Sequence, residues 1–111
     1  MLALRLFAAL GWLALAVVTA HATAALGLGG LVETLVADVA HPWRLQLYLD
    51  FELHLILFAS WVAWRERPLA LGLVCAAATL LTGALFTLPY LLFATVRAEG
   101  DVRRLLLGAR A

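Results

Sequence analysis

Leu47-Tyr48-Leu49-Asp50-Phe51-Glu52-Leu53-His54-Leu55-Ile56-Leu57-Phe58 sets two carboxylates and an imidazole at every second position of an apolar run. Alone, that alternation is a strand pattern. Its surroundings decide against a strand. Trp43 and Trp64 bracket the run, and as a helix of about 21 steps at about 1.5 Å each it sets the two indoles about 31 Å apart. That matches the thickness of a hydrocarbon core, with an aromatic anchor at each interface. Unsatisfied backbone groups are so costly in lipid that a span is a helix or part of a closed barrel. A chain of 111 residues with three apolar stretches does not close a barrel, so residues 45–64 are expected to be helical.

Composition points to the same solvent. The chain is 66% hydrophobic and 14% charged, with mean hydropathy +1.02, whereas a water-soluble domain carries about a quarter of its residues as charges. Every basic residue is arginine and the formal net charge is +1. With no basic stripe and no acidic tail, nucleic acid is not an expected partner. Cys75 is the lone cysteine, so the chain forms no internal disulfide and no thiolate metal cage. It reads as a small buried hydrophobe.

Two further stretches, 4–26 and 69–95, reach the roughly 20 residues a helix needs to span. The first also fits a secretory signal, with small-residue sites at Ala20-His21-Ala22 or Ala22-Thr23-Ala24. Its apolar run exceeds the usual 7–15 residues or so of such a signal, so retention is expected. Gly27-Leu28-Gly29-Gly30 ends that helix and lacks the lysine and spacing of a phosphate-binding loop. Residues 31–40 then place Leu31, Val32, Leu35, Val36 and Val39 against Glu33, Thr34 and Asp38, an amphipathic helix for the interface. Pro42 stops it, and Trp43 anchors the turn into the second span. Arg65-Glu66-Arg67-Pro68 reads as a charged hairpin into the third span, with the proline placed to begin a helix.

Within the third span Gly72, Ala76, Thr79 and Gly83 share one face, the small-residue stripe through which membrane helices associate; alanine-rich composition also produces such spacings. The tail 97–111, with Glu99, Asp101, Arg103, Arg104 and Arg110, is too charged to span and is expected at the surface. Three spans would put Arg5, Arg65 and Arg67 on one side and Arg44, Arg97, Arg103, Arg104 and Arg110 on the other. The excess favours a cytoplasmic C-terminus.

On the second helix Gln46, Asp50 and His54 form one polar stripe at i, i+4 and i+8, while Glu52 projects about 200° from Asp50. Ionisable groups deep in a span are expected to be paired or wet. Matching depths along three antiparallel spans predicts a cluster of His21, Gln46, Asp50, His54 and Tyr90, with Glu52 meeting another helix or subunit. Pro89 is expected to kink the third span and free a carbonyl near Phe86, at the depth of Asp50.

An aspartate beside a histidine serves either to fix helix register or to relay protons. No nucleophile accompanies the pair, since Ser60 and Cys75 lie at other depths, so catalysis is not expected. Nor is any metal or other cofactor; a haem or chlorophyll held axially by His54 or His21 is the lesser alternative.

At Pro42-Trp43, Asp50, Trp64-Arg65-Glu66-Arg67 and Leu88-Pro89-Tyr90-Leu91-Leu92-Phe93 followed by Arg97, the chain resembles a family of small bacterial three-span membrane proteins known only as a domain of unknown function. The likeness covers roughly residues 40–97; Glu52 and His54 have no counterpart in the family pattern. It implies a three-helix fold in the inner (plasma) membrane and no activity. The expected architecture is therefore all-α and a single domain, 1–111: a three-helix membrane bundle with a short interfacial helix. The expected role is a non-enzymatic subunit that meets lipid and either itself or another membrane protein. A small transporter or proton-conducting oligomer using Asp50 and His54 is the alternative.

Overall fold

The computed structural model describes residues 1–111 and is all-helical. Helix α1 runs Leu2–Val39, α2 Pro42–Arg65, α3 Leu69–Thr82, α4 Ala84–Ala98 and α5 Val102–Leu107, followed by a 3-10 turn at Gly108–Arg110. Helices α1 and α2 are long and apolar enough to cross a membrane, and only 6% and 17% of their most apolar windows is covered by the rest of the chain. The core helix of a soluble protein would be mostly covered. The accessible surface is 7729 Å² with 16 of 111 residues buried, against roughly 6,000 Å² for a soluble monomer of this mass. Leu6, Phe7, Leu10, Leu13 and Val17 of α1, and Leu49, Leu53, Ile56 and Leu57 of α2, are all exposed.

The third apolar stretch departs from expectation. Instead of one helix over 69–95, it breaks at Gly83, whose φ of 59° and ψ of −130° suit glycine alone. Gly83 lies beside Phe51 and Leu55 of α2, about 18 Å along the helix axis from Arg65. From there α4 returns toward the end where α3 began, bringing Tyr90 to Glu66. The stretch is a helical hairpin with arms of 14 and 15 residues, each too short to cross a hydrocarbon core. Proline content and apolar composition look the same for a straight span and for this hairpin; the turn rests on one glycine.

The small-residue stripe is used inside the chain. A Cβ on Gly72 would come within 2.7 Å of the Ala63 carbonyl oxygen, so the stripe is what lets α3 lie against α2. Gly72, Thr79 and Gly83 are buried and Ala76 half-buried. Helix α1 packs antiparallel on α4: Arg5 donates through Nε and Nη2 to the Thr95 hydroxyl (3.2 Å) and carbonyl (3.1 Å), and Ala8 is buried. Pro89 leaves the Leu85 carbonyl, four residues back, without its helical donor, and the Trp12 indole N–H supplies one at 3.0 Å. The freed acceptor thus serves α1, not Asp50.

Of the four glycine-rich positions 27–30, only Gly27 leaves helical geometry, at φ 68° and ψ 178°. Residues 28–39 form the distal arm of α1, so the helix expected over 31–40 begins at the bend. Pro42 opens α2 instead of merely stopping the arm, and the Nδ1 of His41 accepts from the Arg44 N–H at 3.4 Å as its cap. Trp43 and Trp64 sit exposed at the two ends of α2. The tail is docked: after Glu99 and Gly100 reverse the chain, Asp101 caps α5 by accepting from the Arg103 N–H at 2.8 Å. Leu105 is then buried against Ala94 and Ala98, with Met1 and Leu4 alongside. Both chain ends therefore share one end of the molecule, and every arginine except Arg44 lies there.

Candidate functional site

Of the five residues expected to cluster, the fold brings Asp50 and His54 together. The His54 Nδ1 lies 2.7 Å from the Asp50 carbonyl oxygen and 3.3 Å from its Oδ1. The Asp50 backbone carbonyl only accepts, so a hydrogen bond between the two requires the proton on Nδ1. The two side chains are 58% and 73% exposed, Asp50 first. Gln46 is exposed one turn away and His21 is exposed on α1; neither side chain makes a hydrogen bond within the chain. Tyr90 belongs elsewhere, because depth matching along a straight third span sent it to the wrong end of the molecule.

Glu52 has no ionic partner in the chain and is exposed. It continues the buried stripe of α2, Leu55, Ala59 and Val62, at i, i+3, i+7 and i+10. The hairpin tip lies against Phe51 and Leu55, yet Glu52 between them is left exposed.

A second cluster, absent from the sequence-based expectations, closes the arginine-rich end. Arg65 ends α2 and Glu66 caps it, with side chains 6% and 9% exposed. Arg65 Nη1 donates to Glu66 Oε1 at 2.7 Å and to the Tyr90 hydroxyl at 2.5 Å, and that hydroxyl donates to Glu66 Oε1 at 2.5 Å. Nε donates to the Leu105 carbonyl at 3.2 Å. The guanidinium also lies 5.3 Å from the Trp61 ring centre and 5.4 Å from that of Tyr90. No buried side-chain nitrogen or oxygen lacks a partner. Gly108, at φ 56°, is where the tail crosses: a Cβ there would meet the Arg65 carbonyl oxygen at 2.7 Å. Beside the cluster a cavity of about 360 Å³ opens between the 65–67 turn, α4 and the tail. Two residues of the expected charged hairpin, Arg65 and Glu66, are thus buried as an ion pair, while Arg67 stays exposed.

The opposite end has its own polar knot. Asp38, buried on the distal arm of α1, accepts from the Tyr48 hydroxyl at 2.6 Å and from Arg44 Nη1 at 2.8 Å. The Tyr48 bond, with Arg44 adding to it against a burial effect of opposite sign, holds the Asp38 carboxyl below its ordinary value. A carboxyl depressed in the folded state binds fewer protons there than in the unfolded chain. Its contribution is complete above about pH 3.9 and is lost as pH falls through the lower folded value. Acid titration is expected to release the arm from α2 in that range, seen as faster amide exchange at Ala40 and His41, and Tyr48→Phe is expected to move the release to higher pH.

Family models, curated proteins and solved structures provide no match to this chain.

Proposed function

We propose that this chain is a non-enzymatic integral membrane subunit that crosses the bilayer twice, through residues 2–26 of α1 and through α2, with α3 and α4 entering and leaving by one face. In this reading it assembles, through α2, with another membrane helix, in the simplest case that of a second copy. The observation that carries the proposal is the exposure of Asp50, Glu52 and His54 near the middle of α2. An ionisable group at the centre of a span costs about 2.5–3.5 kcal/mol on insertion scales unless it is paired or wet. Nothing in the chain covers these three, and the small-residue stripe is already occupied by α2. The two-crossing topology takes the place of the three-span bundle, and the resemblance to a bacterial inner-membrane family is part of the same reading. The arginine-rich end faces the cytoplasm under the positive-inside rule.

Asp50→Leu with His54→Leu is expected to lower the multimer fraction of the purified protein in nanodiscs, measured by single-molecule photobleaching, with helical content unchanged. An undiminished multimer fraction would sink the subunit reading. The Asp50 and His54 contact also supports a second reading, proton conduction by the assembled oligomer. Proteoliposome flux that Asp50→Asn abolishes while assembly persists would select it.

A further inference from the structure

We propose that the cavity beside Arg65 binds a phosphate group at the membrane surface. Its lining includes four guanidiniums, Arg65, Arg67, Arg97 and Arg104, against one side-chain carboxylate, Glu66. Arg65 and Glu66 neutralise each other within the buried cluster and Arg104 is paired with two acids, so the positive field in the cavity comes chiefly from Arg67 and Arg97. Arg104 meets Glu99 and Asp101 at 3.7 and 3.8 Å, beyond hydrogen-bonding distance. Arg67 and Arg97 have no acidic partner within 4.0 Å. Ala111 also lines the cavity and forms no ion pair with any of them.

Arg97 is steadied by Phe93, its guanidinium carbon 5.6 Å from the ring centre. The Arg65 cluster fixes the wall behind it by tying α2, α4 and α5 together. Two guanidiniums without acidic partners, lining one cavity above a rigid floor, offer the fork geometry that phosphate oxygens accept. The volume of about 360 Å³ falls in the range of small-ligand sites, roughly 300–1,000 Å³, and suits a headgroup phosphate or a small free phosphate. The site lies at the end of α2 marked by Trp64, the depth at which lipid phosphates begin under the two-crossing reading. It uses none of Asp50, Glu52 or His54.

The full chain in detergent micelles would be titrated with short-chain phosphatidylglycerol and, separately, with inorganic phosphate, reading Trp fluorescence and native mass spectra. Saturable binding of at least one probe is expected, weakened about tenfold or more by Arg67→Gln with Arg97→Gln and unchanged by Arg103→Gln, which lies outside the cavity. Arg67→Lys with Arg97→Lys, which keeps both charges, is expected to fall between parent and glutamine variant, separating loss of the site from loss of the fold. Inorganic phosphate that displaces the lipid identifies a free phosphate as ligand, and lipid binding indifferent to it identifies a headgroup. Failure of both probes to saturate, or parent-level binding in the double glutamine variant, overturns the proposal.

Discussion

Replacing Arg65 with alanine is expected to destabilise the protein by about 3–5 kcal/mol, because it leaves the Glu66 carboxylate buried without its counter-charge. The geometry explains why the loss is large. One guanidinium satisfies a carboxylate, a phenol and the Leu105 carbonyl at once, and its removal orphans acceptors on α4 and α5 as well as the end of α2. Tyr90→Phe removes only the hydroxyl and is expected to cost about 1–3 kcal/mol. Arg65→Met combined with Glu66→Gln eliminates both charges and is expected to cost less than Arg65→Ala alone, since a well-packed neutral pair avoids the stranded ion. Denaturant titration in detergent followed by circular dichroism measures all three. A parent-like midpoint for Arg65→Ala would contradict this account of the cluster.

Gly83→Ala is expected to cost about 1–3 kcal/mol through backbone strain. Space is not the reason: the nearest atom to an added Cβ is the Phe51 ring carbon at 3.4 Å, an ordinary contact. The φ of 59° with ψ of −130° is the reason, since a residue with a side chain does not rest there. Alanine also favours helix, so the variant is pulled toward joining α3 and α4 into one rod. A joined rod carries Tyr90 away from Glu66, and the Trp61 fluorescence next to Arg65 reports the separation. Gly83→Ala with parent stability and parent emission would mean that the turn does not depend on glycine.

These two residues also mark where the sequence was legible and where it was not. The helical reading of 45–64 followed from the Trp43 and Trp64 spacing and the cost of bare backbone in lipid, and α2 covers it from Pro42 to Arg65. The arm after Gly27 was visible because polar and apolar positions there alternate with helical period. The hairpin was hidden because Gly83 fits a packing stripe and a turn equally well, and composition does not separate them. That single ambiguity propagates: a straight third span places Tyr90 beside Asp50, divides the arginines between two sides, and leaves Arg65 and Glu66 in a charged hairpin between spans. Asp50 with His54 was legible because four-residue spacing is local, whereas the Arg65, Glu66 and Tyr90 cluster joins residues about two dozen positions apart and leaves no periodic trace. A glycine directly after Thr82 was the one available sign, since helices commonly stop at such a residue.

Topology tests the central claim most directly. In a Cys75→Ala background, single cysteines at Ala3, Arg67 and Ala109 would be probed in sealed membrane vesicles with a maleimide that does not cross the bilayer. Two crossings and a half-depth hairpin predict that all three label from the same face, the cytoplasmic one, and that a cysteine at Thr82 labels from neither. Labelling of Ala3 and Ala109 from opposite faces would contradict the account and restore a third crossing.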